Sequence, residues 1–352
     1  MSKLTLILLI KGRKKFTKRW LDYMLRIKYD GFILIGDGEK NSEIKKILKN
    51  KHYTKLNLKY VSYNHSSQSY KDYYYMMYDL VRNHVKTEFI RFCDNDDFIL
   101  KNQQTNLLNY YIKNKNLASV GDFQIRFEIL NQNKLHGNKI YFFLEGVNRS
   151  QDSFSNQNIR DIFNNYQGFF YNIFKKKDMQ KILFEIYKLN FTDLEIRDFY
   201  LCLRLICNGK TIYLNQSSYI RQHATSQTST NFFYSDNFFS KDIKGDTEKL
   251  VTKISKIFEK KFNINQDKMK ELIFESYKSY LNKVIAHNKR VFLYPKYFKF
   301  RKYLLKKFTN LVYFIRIIQN LRFNLSINKL YKKNKSSFNQ EFSLIKKFIR
   351  GK

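Results

Sequence analysis

Residues 89–98 read FIRFCDNDDF, and this stretch decides how the rest of the chain is interpreted. Its first part, Phe89–Phe92, is a short, mainly apolar run of the kind that forms a buried strand. Its second part places Asp94, Asp96 and Asp97 within four positions. Ligands of open α/β sheets bind at the carboxyl ends of strands. Carboxylates crowded there repel one another unless a cation lies among them. Because Mg²⁺ usually takes one or two carboxylates together with substrate phosphates, the stretch predicts a divalent metal site that carries a diphosphate.

A solvated turn is the alternative for these acids, since Asp and Asn favour turns for backbone reasons alone. The preceding sequence supports the metal site, because strands and helices alternate through it. The predicted strands are Leu4–Ile10, Gly31–Ile35, Leu56–Val61 and Thr87–Cys93. This alternation predicts an α/β fold with a mainly parallel sheet and right-handed crossovers. Asp37, which follows the second strand, is then expected at the same sheet edge as the acidic stretch.

Helical spacing of apolar residues between the first two strands predicts that Trp20 belongs to the core rather than to a ligand site. Beyond Asp97 the pattern changes. Further helices are predicted at 102–114, 178–189 and 193–207, and strands at 118–130, 139–144, 168–174 and 211–214. The polar segment 147–165 is predicted to be a mobile loop that closes over a ligand. These patterns divide the chain into three parts, 1–100, 101–225 and a helical, strongly basic 226–352.

The charge of the chain favours an anionic partner. Its 352 residues include 66 Lys and Arg against 30 Asp and Glu, a net charge of +36. The codon bias of an AT-rich genome explains part of the lysine excess. It does not explain why positive charges so outnumber negative ones, because glutamate could have balanced them. Residues 296–352 hold sixteen Lys and Arg and a single acid, Glu341. Apolar residues interleave with these cations at Phe298, Leu304, Leu305, Phe308, Leu311, Ile317 and Leu321. Such a segment predicts a basic amphipathic helix on an anionic membrane surface, with an ordinary helical subdomain as the alternative.

Cysteine usage and the first residues indicate the compartment. The three cysteines show no CxxC spacing, which fits free thiols in a reducing compartment. The apolar run Met1–Ile10 is too short for a signal-peptide core or a membrane span, and is predicted to be the first buried strand. We therefore predict a cytoplasmic protein, with peripheral attachment to the inner face of the cytoplasmic membrane as a further expectation.

A second group of acids, Asp193, Glu195 and Asp198, begins the helix predicted at 193–207. The run from Thr192 to Glu195 fits a capping box, which explains Glu195 without any function. Capping accounts less well for Asp198, which lies further into the helix. His223 follows a short strand, and a lone histidine of this kind is more often structural than a ligand.

Four motifs, in this order, resemble the inverting nucleotide-sugar glycosyltransferases of family 2, which have the GT-A fold. The resemblance covers about residues 3–225. Its motifs are the strand and loop Leu4–Arg13, the strand end Ile33–Glu39, the acidic run Cys93–Asp97, and the helix block Arg197–Gly209. The chain departs from the family pattern where Lys11-Gly12 replaces an Asn, Gly36 replaces the first of two Asp, and Arg197 replaces a Glu.

The resemblance implies a role for each matching residue. Asp37, Arg13 and Asp94 would bind the nucleotide, Asp96 and His223 would hold Mg²⁺ or Mn²⁺, and Asp198 would be the catalytic base. Asp97 and Glu195 are secondary candidates. Arginine forks match phosphate and carboxylate, so Arg13, Arg149 and Arg221 are also predicted contacts of a diphosphate or an acidic sugar, with plain surface charge as the alternative. The implied donor is a nucleotide sugar and the acceptor a glycan or lipid-linked hydroxyl, in bacterial surface polysaccharide synthesis. Residues 1–100 would then bind the donor and residues 101–225 the acceptor.

Other functions fit parts of the sequence. Net charge and abundant Tyr and Phe suit nucleic-acid binding. No RNP, zinc-finger or helix-turn-helix pattern is present, however, and the acidic run would repel phosphates without a metal, so nucleic acid is not the expected partner. A Mg²⁺-dependent phosphoryl transferase would use the same acids, but the chain lacks a glycine-rich phosphate loop. An inactive transferase-like scaffold is a third alternative, because Gly36 and Arg197 depart from the family pattern.

Overall fold

The computed structural model describes residues 3–40, 42–65, 70–129, 135–144, 155–165, 169–223, 243–293, 309–331 and 335–351. The strands are β1 (Leu4–Ile10), β2 (Phe32–Glu39), β3 (Leu58–His65), β4 (Phe89–Cys93), β5 (Phe98–Ile99), β6 (Leu117–Asp122), β7 (Ile125–Ile129), β8 (Ile140–Leu144), β9 (Ile173–Lys175), β10 (Lys210–Leu214) and β11 (Tyr219–Gln222). The α-helices are α1 (Lys14–Arg26), α2 (Ile44–Leu48), α3 (Tyr70–Asp79), α4 (Lys101–Lys113), α5 (Asn156–Asn165), α6 (Lys176–Leu189), α7 (Leu194–Asn208), α8 (Ile243–Phe262), α9 (Gln266–Leu293), α10 (Thr309–Leu330) and α11 (Lys335–Arg350). A π-helical turn, Leu80–His84, extends α3.

The larger sheet has seven strands in the order β10-β6-β9-β4-β1-β2-β3. Strand β9 is antiparallel to β4 and β6, and the other four pairings are parallel. The predicted α/β fold with a mainly parallel sheet is therefore confirmed. The chain runs outward from β1 to β3 and then returns to place β4 on the other side of β1. That reversal is a topological switch point, where open α/β sheets bind ligands.

The first strand is apolar except for Thr5, because helices cover both faces of the sheet. All seven residues of β1 are buried. Leu6 and Leu8 belong to the core on one face, together with Trp20, and Ile7 and Leu9 belong to the core on the other. Trp20 is 1% exposed, which confirms the prediction that it is a core residue.

The smaller sheet, in the order β5-β11-β7-β8, lies beside the acidic stretch. Its strand β5 follows Asp97 directly and pairs with β11 through Ile99↔Tyr219 and Phe98↔Ile220. The single strand predicted over 118–130 is wrong, since β6 and β7 belong to different sheets. The chain changes sheet at Phe123, whose N–H donates to Gln216 O at 3.1 Å.

The prediction of a mobile loop over 147–165 is also wrong in its second half. Residues 147–154 lie outside the described residues, but 156–165 form helix α5. Ile159, Ile162 and Phe163 recur at helical spacing and are fully buried, and Phe163 packs against Phe199 with ring centroids 4.6 Å apart. Buried apolar contacts of this kind outweigh the low helix propensity of the Asn-rich sequence.

The described parts of 226–352 are helical, as predicted, but they belong to the core of the fold. Phe338, Phe342, Ile345 and Ile349 of α11 are buried in the same core as β1. Tyr331 Oη donates to Ser217 O at 3.0 Å. Of the apolar residues predicted to contact a membrane, Phe298, Leu304, Leu305 and Phe308 lie outside the described residues. No helix within the described ranges is long and apolar enough to cross a bilayer.

The start of α7 is held by an acid from α8. Asp246 Oδ2 accepts hydrogen bonds from Thr192 N, Thr192 Oγ1 and Asp193 N at 2.6, 2.8 and 2.9 Å. Asp193 in turn caps the helix, because its Oδ1 accepts from Glu195 N and Ile196 N. The cap is therefore Asp193 rather than the Thr192 of the predicted capping box.

Replacing Asp246 by Ala is expected to lower the free energy of unfolding by about 1–3 kcal/mol, because buried donors lose their acceptor. Burial raises the pKa of Asp246, but the hydrogen bonds from Asp193 and Thr192 outweigh burial and lower it. Since the pKa is lower in the folded state, this stabilisation is present above about pH 4 and is lost as the pH falls through the folded pKa. Urea unfolding at pH 7 and at low pH measures both effects. Asp267→Ala, at the exposed start of α9, is the control and should change stability by less than about 0.5 kcal/mol.

Candidate active site

The three acids of the quoted stretch lie together in the loop between β4 and β5. One carboxylate oxygen from each of Asp94, Asp96 and Asp97 lies within 4.8 Å of the others. Asp96 and Asp97 are buried and Asp94 is half-buried. The loop is a tight turn in which Asp97 N donates to Asp94 O at 3.4 Å. The pairing of β5 with β11 keeps this turn against the carboxyl end of β4.

Two stacked tyrosines hold Asp94. Tyr171 Oη donates to Asp94 Oδ2, and Asp94 N donates to Tyr219 Oη at 2.9 Å. The rings of Tyr171 and Tyr219 are stacked with centroids 4.7 Å apart. Burial raises the pKa of Asp94 and the charge of Asp96 raises it further, while the Tyr171 hydrogen bond opposes both. The charges of Arg221 and Arg13 also lower the pKa of Asp94.

Asp97 is buried, and its two carboxylate oxygens have different surroundings. Its Oδ1 accepts from Gln222 N at 2.8 Å, and its Oδ2 is buried without a hydrogen bond from any described residue. The nearby cation is Arg221, whose Nε lies 3.9 Å from Asp97 Oδ2. Burial, then Asp96 and Asp94, raise the pKa of Asp97 well above its ordinary value. A buried acceptor without a donor, among repelling carboxylates, fits a site for a hard divalent cation.

Two arginines approach the acidic loop, Arg13 from the β1–α1 connection and Arg19 from helix α1. Arg13 Nη2 lies 2.7 Å from Asp96 Oδ2, in a left-handed backbone conformation with φ 59°. Arg19 is buried and donates to Asp96 O at 2.8 Å and to Gln222 Oε1 at 2.9 Å. Burial lowers the pKa of Arg19 to about 10, although Asp96 and Asp97 oppose that shift. Sequence reasoning missed Arg19, whose only signal was a cation on the apolar face of a helix.

Asp37 lies at the end of β2, on the same sheet edge. In the sheet register Asp37 pairs with Ile10, and Cys93 pairs with Leu8 of the same central strand. Asp37 is fully buried, and its oxygens accept from Glu39 N and Tyr60 Oη, each at 2.9 Å. Asp37 near the end of strand β2 and the acids after β4 thus lie on the two sides of β1, as expected for the carboxyl ends of parallel strands.

The glycine before Asp37 also has a structural reason. A Cβ on Gly36 would lie 2.4 Å from Leu80 Cδ1 in the π-helical turn. An aspartate at position 36 would therefore require the side chain of Leu80 to move.

Asp198 lies in the second turn of α7 and is held by the tyrosine-rich helix α3. Tyr74 Oη donates to Asp198 Oδ1 at 2.8 Å. Burial raises the pKa of the neighbouring Tyr73, and the charges of both Asp94 and Asp198 raise it further. The charge of Asp198 and the charge of Asp94 in the acidic loop therefore both act on the same tyrosine. Sequence reasoning placed Asp198 by motif, but Tyr74 had no signal beyond a run of tyrosines.

Arg197, which replaces the Glu of the family pattern, lies behind Asp198. It is 3% exposed, donates to Phe191 O, and its guanidinium lies 5.1 Å from the centroid of the Tyr74 ring. Burial lowers its pKa, and the nearby Tyr74 opposes that shift. Arg197 therefore packs against the tyrosine that positions Asp198.

Glu195 and His223 are placed differently from the acidic loop. Glu195 is buried beside Tyr280 of α9; burial raises the pKa of Tyr280, and the charge and hydrogen bond of Glu195 raise it further. The backbone N–H of the exposed His223 donates to Phe127 O at 2.7 Å, and the His223 ring centroid lies 5.7 Å from that of Phe143. Within the described ranges, His223 is not part of the acid cluster that could hold a metal. Arg149 lies outside the described residues.

No protein-family model and no curated protein matches the chain. Among solved structures, the chain is similar to residues 1–349 of TarS of S. aureus, with 13% identity, a TM-score of 0.47, and coverage of 79% of this chain and 71% of that one. A second structure of S. aureus TarS has 13% identity and a TM-score of 0.43, with coverage of 78% and 43%. GalNAc-T7, crystallised with UDP, GalNAc and Mn²⁺, has 10% identity and a TM-score of 0.43, with coverage of 82% and 58%. None of these TM-scores reaches 0.5, so the assignment of function depends on the residues of this chain.

Proposed function

We propose that the chain is a metal-dependent, inverting glycosyltransferase of the GT-A type that moves a sugar from a nucleotide-sugar donor to a glycan or lipid-linked hydroxyl. One observation carries the proposal: Asp94, Asp96 and Asp97 cluster within 4.8 Å at the topological switch point of a mainly parallel sheet. Residues 1–100 would form the donor half and residues 101–225 the acceptor half. The basic region 226–352 would complete the fold around them.

The residues present fit a divalent metal. The donor set consists of carboxylates alone, which suits Mg²⁺ or Mn²⁺ better than softer metals. Asp96 and Asp97 would hold the ion beside Asp94, and the buried Asp97 Oδ2 offers an acceptor without a hydrogen bond from any described residue. His223, one position beyond the Gln222 that binds Asp97, is the proposed additional ligand. When bound, the ion would neutralise charge that develops on the leaving diphosphate.

The donor would lie across the carboxyl end of the sheet. Asp37 would accept hydrogen bonds from the nucleobase, and Asp94 would contact the ribose. Arg13, which pairs with Asp96 at 2.7 Å, would contact the diphosphate, whose geometry an arginine fork matches. Arg221, near Asp97, is a second diphosphate contact of the same kind.

Asp198 would act as the general base. An acceptor hydroxyl is a poor nucleophile until a positioned group takes its proton. The Tyr74 hydroxyl orients the Asp198 carboxylate, and the elevated pKa of Tyr74, caused by burial and by Asp198, keeps that tyrosine a donor. Attack by the activated oxygen on the anomeric carbon, opposite the leaving diphosphate, inverts the configuration in a single displacement.

The proposal is tested first by thermal-shift titration of the protein with UDP, GDP, CDP, CMP and dTDP, with and without Mn²⁺. Stabilisation by one nucleotide that requires Mn²⁺ would identify the donor class. NMR of the product made from that donor would then show the anomeric configuration. Absence of any nucleotide shift, or retention of configuration, would contradict the proposal.

A role at the inner face of the bacterial membrane, in surface polysaccharide synthesis, is the second part of the proposal. Helix α10 exposes a row of large apolar side chains at spacings of four, three and four residues. They are Phe314, Ile318, Leu321 and Leu325. Leu325 is 70% exposed, whereas Phe323 and Ile327 on the other side are buried. The helix carries three cations and no acid, which suits an anionic lipid surface and a lipid-linked acceptor.

Replacing both Leu321 and Leu325 by Ser is expected to reduce flotation with phosphatidylglycerol vesicles by about 10-fold or more, because each buried Leu contributes about 1.5–3 kcal/mol. Phe274→Ser, at a 49% exposed position of α9, is the control and should float like the wild type. Substitution is preferable to truncation, since α11 belongs to the core. Equal flotation of all three proteins would exclude membrane contact through α10.

A further inference from the structure

A groove of about 410 Å³ lies between the α3 region and α6, outside the acidic site. We call it the α3–α6 groove. Six residues line it: Tyr78, Arg82, Lys177, Gln180, Lys181 and Phe184. Three of these are cations, two are aromatic, and none is acidic. The charge of the lining is therefore positive, like the net charge of the whole chain, and its cations surround two aromatic rings.

Aromatic rings continue beyond the groove as a ladder. Ring centroids of Tyr75 and Tyr187 are 5.6 Å apart, those of Tyr187 and Tyr78 are 6.1 Å apart, and those of Tyr78 and Phe184 are 5.5 Å apart. Tyr75 and Phe184 are each 41% exposed. Exposed rings offer flat apolar surface, on which the apolar faces of sugar rings can stack.

The cations of the groove are available to a ligand. Lys177 and Lys181 are exposed and lie four positions apart on α6, so they share one face of the helix. Neither makes an ion pair within the part of the chain that the structure describes. Arg82 donates to Tyr78 Oη at 2.8 Å, which keeps its guanidinium at the groove. Like charges on one helix face repel unless an anion lies between them.

The direction of the elements connects the ladder to the proposed active site. Helix α3 links the parallel strands β3 and β4, so it begins near their carboxyl ends and runs away from them. Helix α6 follows the antiparallel strand β9 and runs the opposite way. Tyr75 and Tyr187 therefore lie toward the active-site edge, while Arg82 and Lys177 lie toward the far edge. Tyr75 directly follows Tyr74, which binds Asp198 at 2.8 Å.

We propose that the α3–α6 groove binds an acidic stretch of the acceptor glycan, whose sugar rings stack on the aromatic ladder and whose carboxylates or phosphodiesters pair with Arg82, Lys177 and Lys181. This inference rests on the proposed function, and it identifies the acceptor as an anionic saccharide chain. The donor and acceptor then bind to regions of opposite charge. Acids and a metal hold the donor diphosphate, and the groove cations hold the acceptor.

Fluorescence anisotropy with labelled oligosaccharides tests the groove at about 0.15 M salt, where long-range attraction is largely screened. The probes are a hyaluronan octasaccharide, which is acidic, a neutral chitin oligosaccharide, and a short polyphosphate without sugar rings. One variant combines Lys177→Glu with Lys181→Glu, and a second combines Tyr75→Ala with Phe184→Ala. The control combines Lys256→Glu with Lys260→Glu, exposed lysines of α8 at the same spacing and with the same change of charge.

Each groove variant is expected to weaken hyaluronan binding by about 10-fold or more, equivalent to about 1.4 kcal/mol. The α8 control should bind within about 2-fold of the wild type. Equal losses in the groove and control lysine pairs would mean binding to net charge alone and would overturn the proposal. Equal binding of the neutral probe would also overturn it, as would polyphosphate binding like hyaluronan with no effect of the aromatic substitutions.

A competition experiment distinguishes carboxylates from phosphodiesters as the charged groups of the acceptor. In it, a phosphodiester-linked oligosaccharide competes with labelled hyaluronan for the groove. Stronger competition than by hyaluronan itself would assign the acceptor charge to phosphodiesters, and weaker competition would assign it to carboxylates. Nucleotide thermal shifts are measured on every variant. Normal nucleotide shifts without glycan binding would refute the groove and leave the transferase proposal intact. Missing nucleotide shifts with specific glycan binding would refute the transferase instead.

Discussion

Replacement of Asp198 by Asn is expected to lower kcat by about 10²–10⁴-fold, the usual contribution of a positioned general base. Asparagine keeps the shape of the side chain and can still accept from Tyr74 Oη, but it cannot take a proton. KM for the donor should change little, because the donor contacts lie at the ends of β2 and β4. The measurement is steady-state transfer with the donor identified by thermal shift.

Glu195→Gln is the matched control, because Glu195 lies about one turn before Asp198 on the same helix, α7. Glu195 is buried beside Tyr280, so its replacement should lower stability slightly and leave kcat within a few-fold of the wild type. Full activity of the Asp198 variant would show that Asp198 is not the base. A large loss of kcat in the Glu195 variant, with Asp198→Asn active, would move that role to Glu195.

Replacement of Asp96 by Asn is expected to abolish the Mn²⁺-dependent part of nucleotide binding. Loss of even an outer-shell partner costs about 10–100-fold in metal affinity, and loss of a ligand should cost at least that much. Isothermal titration with Mn²⁺ alone, and then with nucleotide, measures this without any turnover. Nucleotide affinity in the absence of metal should be similar in variant and wild type.

Asp30→Asn is the control for the loss of one carboxylate. Asp30 pairs with Lys101 at 3.0 Å and is 82% exposed, far from the acidic loop in the chain. It should bind Mn²⁺ and nucleotide like the wild type. If Asp96→Asn retains the Mn²⁺ dependence, the metal is not held by this cluster. Asp97→Asn then shows whether Asp97, the acid with the unpartnered oxygen, holds it instead.

Sequence reasoning succeeded where a pattern is local. Strand β1 was predicted at Leu4–Ile10 and lies there, because strands buried on both faces are mainly apolar. The acids after β2 and β4 were expected at one sheet edge, since parallel strands end on the same side. Errors arose where a distant contact decides the local structure. The Asn-rich segment 156–165 was predicted to be part of a loop. It is helix α5, because Ile159, Ile162 and Phe163 are buried against the rest of the fold.

The sequence did not predict which side chains that are distant in the chain contact one another in the fold. Arg19 contacts both Asp96 and Gln222. Arg19 and Gln222 are 203 positions apart in the chain. Tyr74 and Asp198 are 124 positions apart. Nothing in composition or spacing selects one tyrosine of a tyrosine run, because the choice depends on how α3 is placed relative to α7 in the fold.

The sequence by itself determined the class of fold, the sheet edge that carries the acids, and the basic character of the chain. These follow from period, order and composition, which are properties of neighbouring residues. The tertiary structure alone decided that the three acids converge within 4.8 Å, that Tyr74 orients Asp198, and that cations and aromatic rings of α3 and α6 line one groove. Those arrangements depend on strand order and helix packing, which bring together residues that are far apart in the chain.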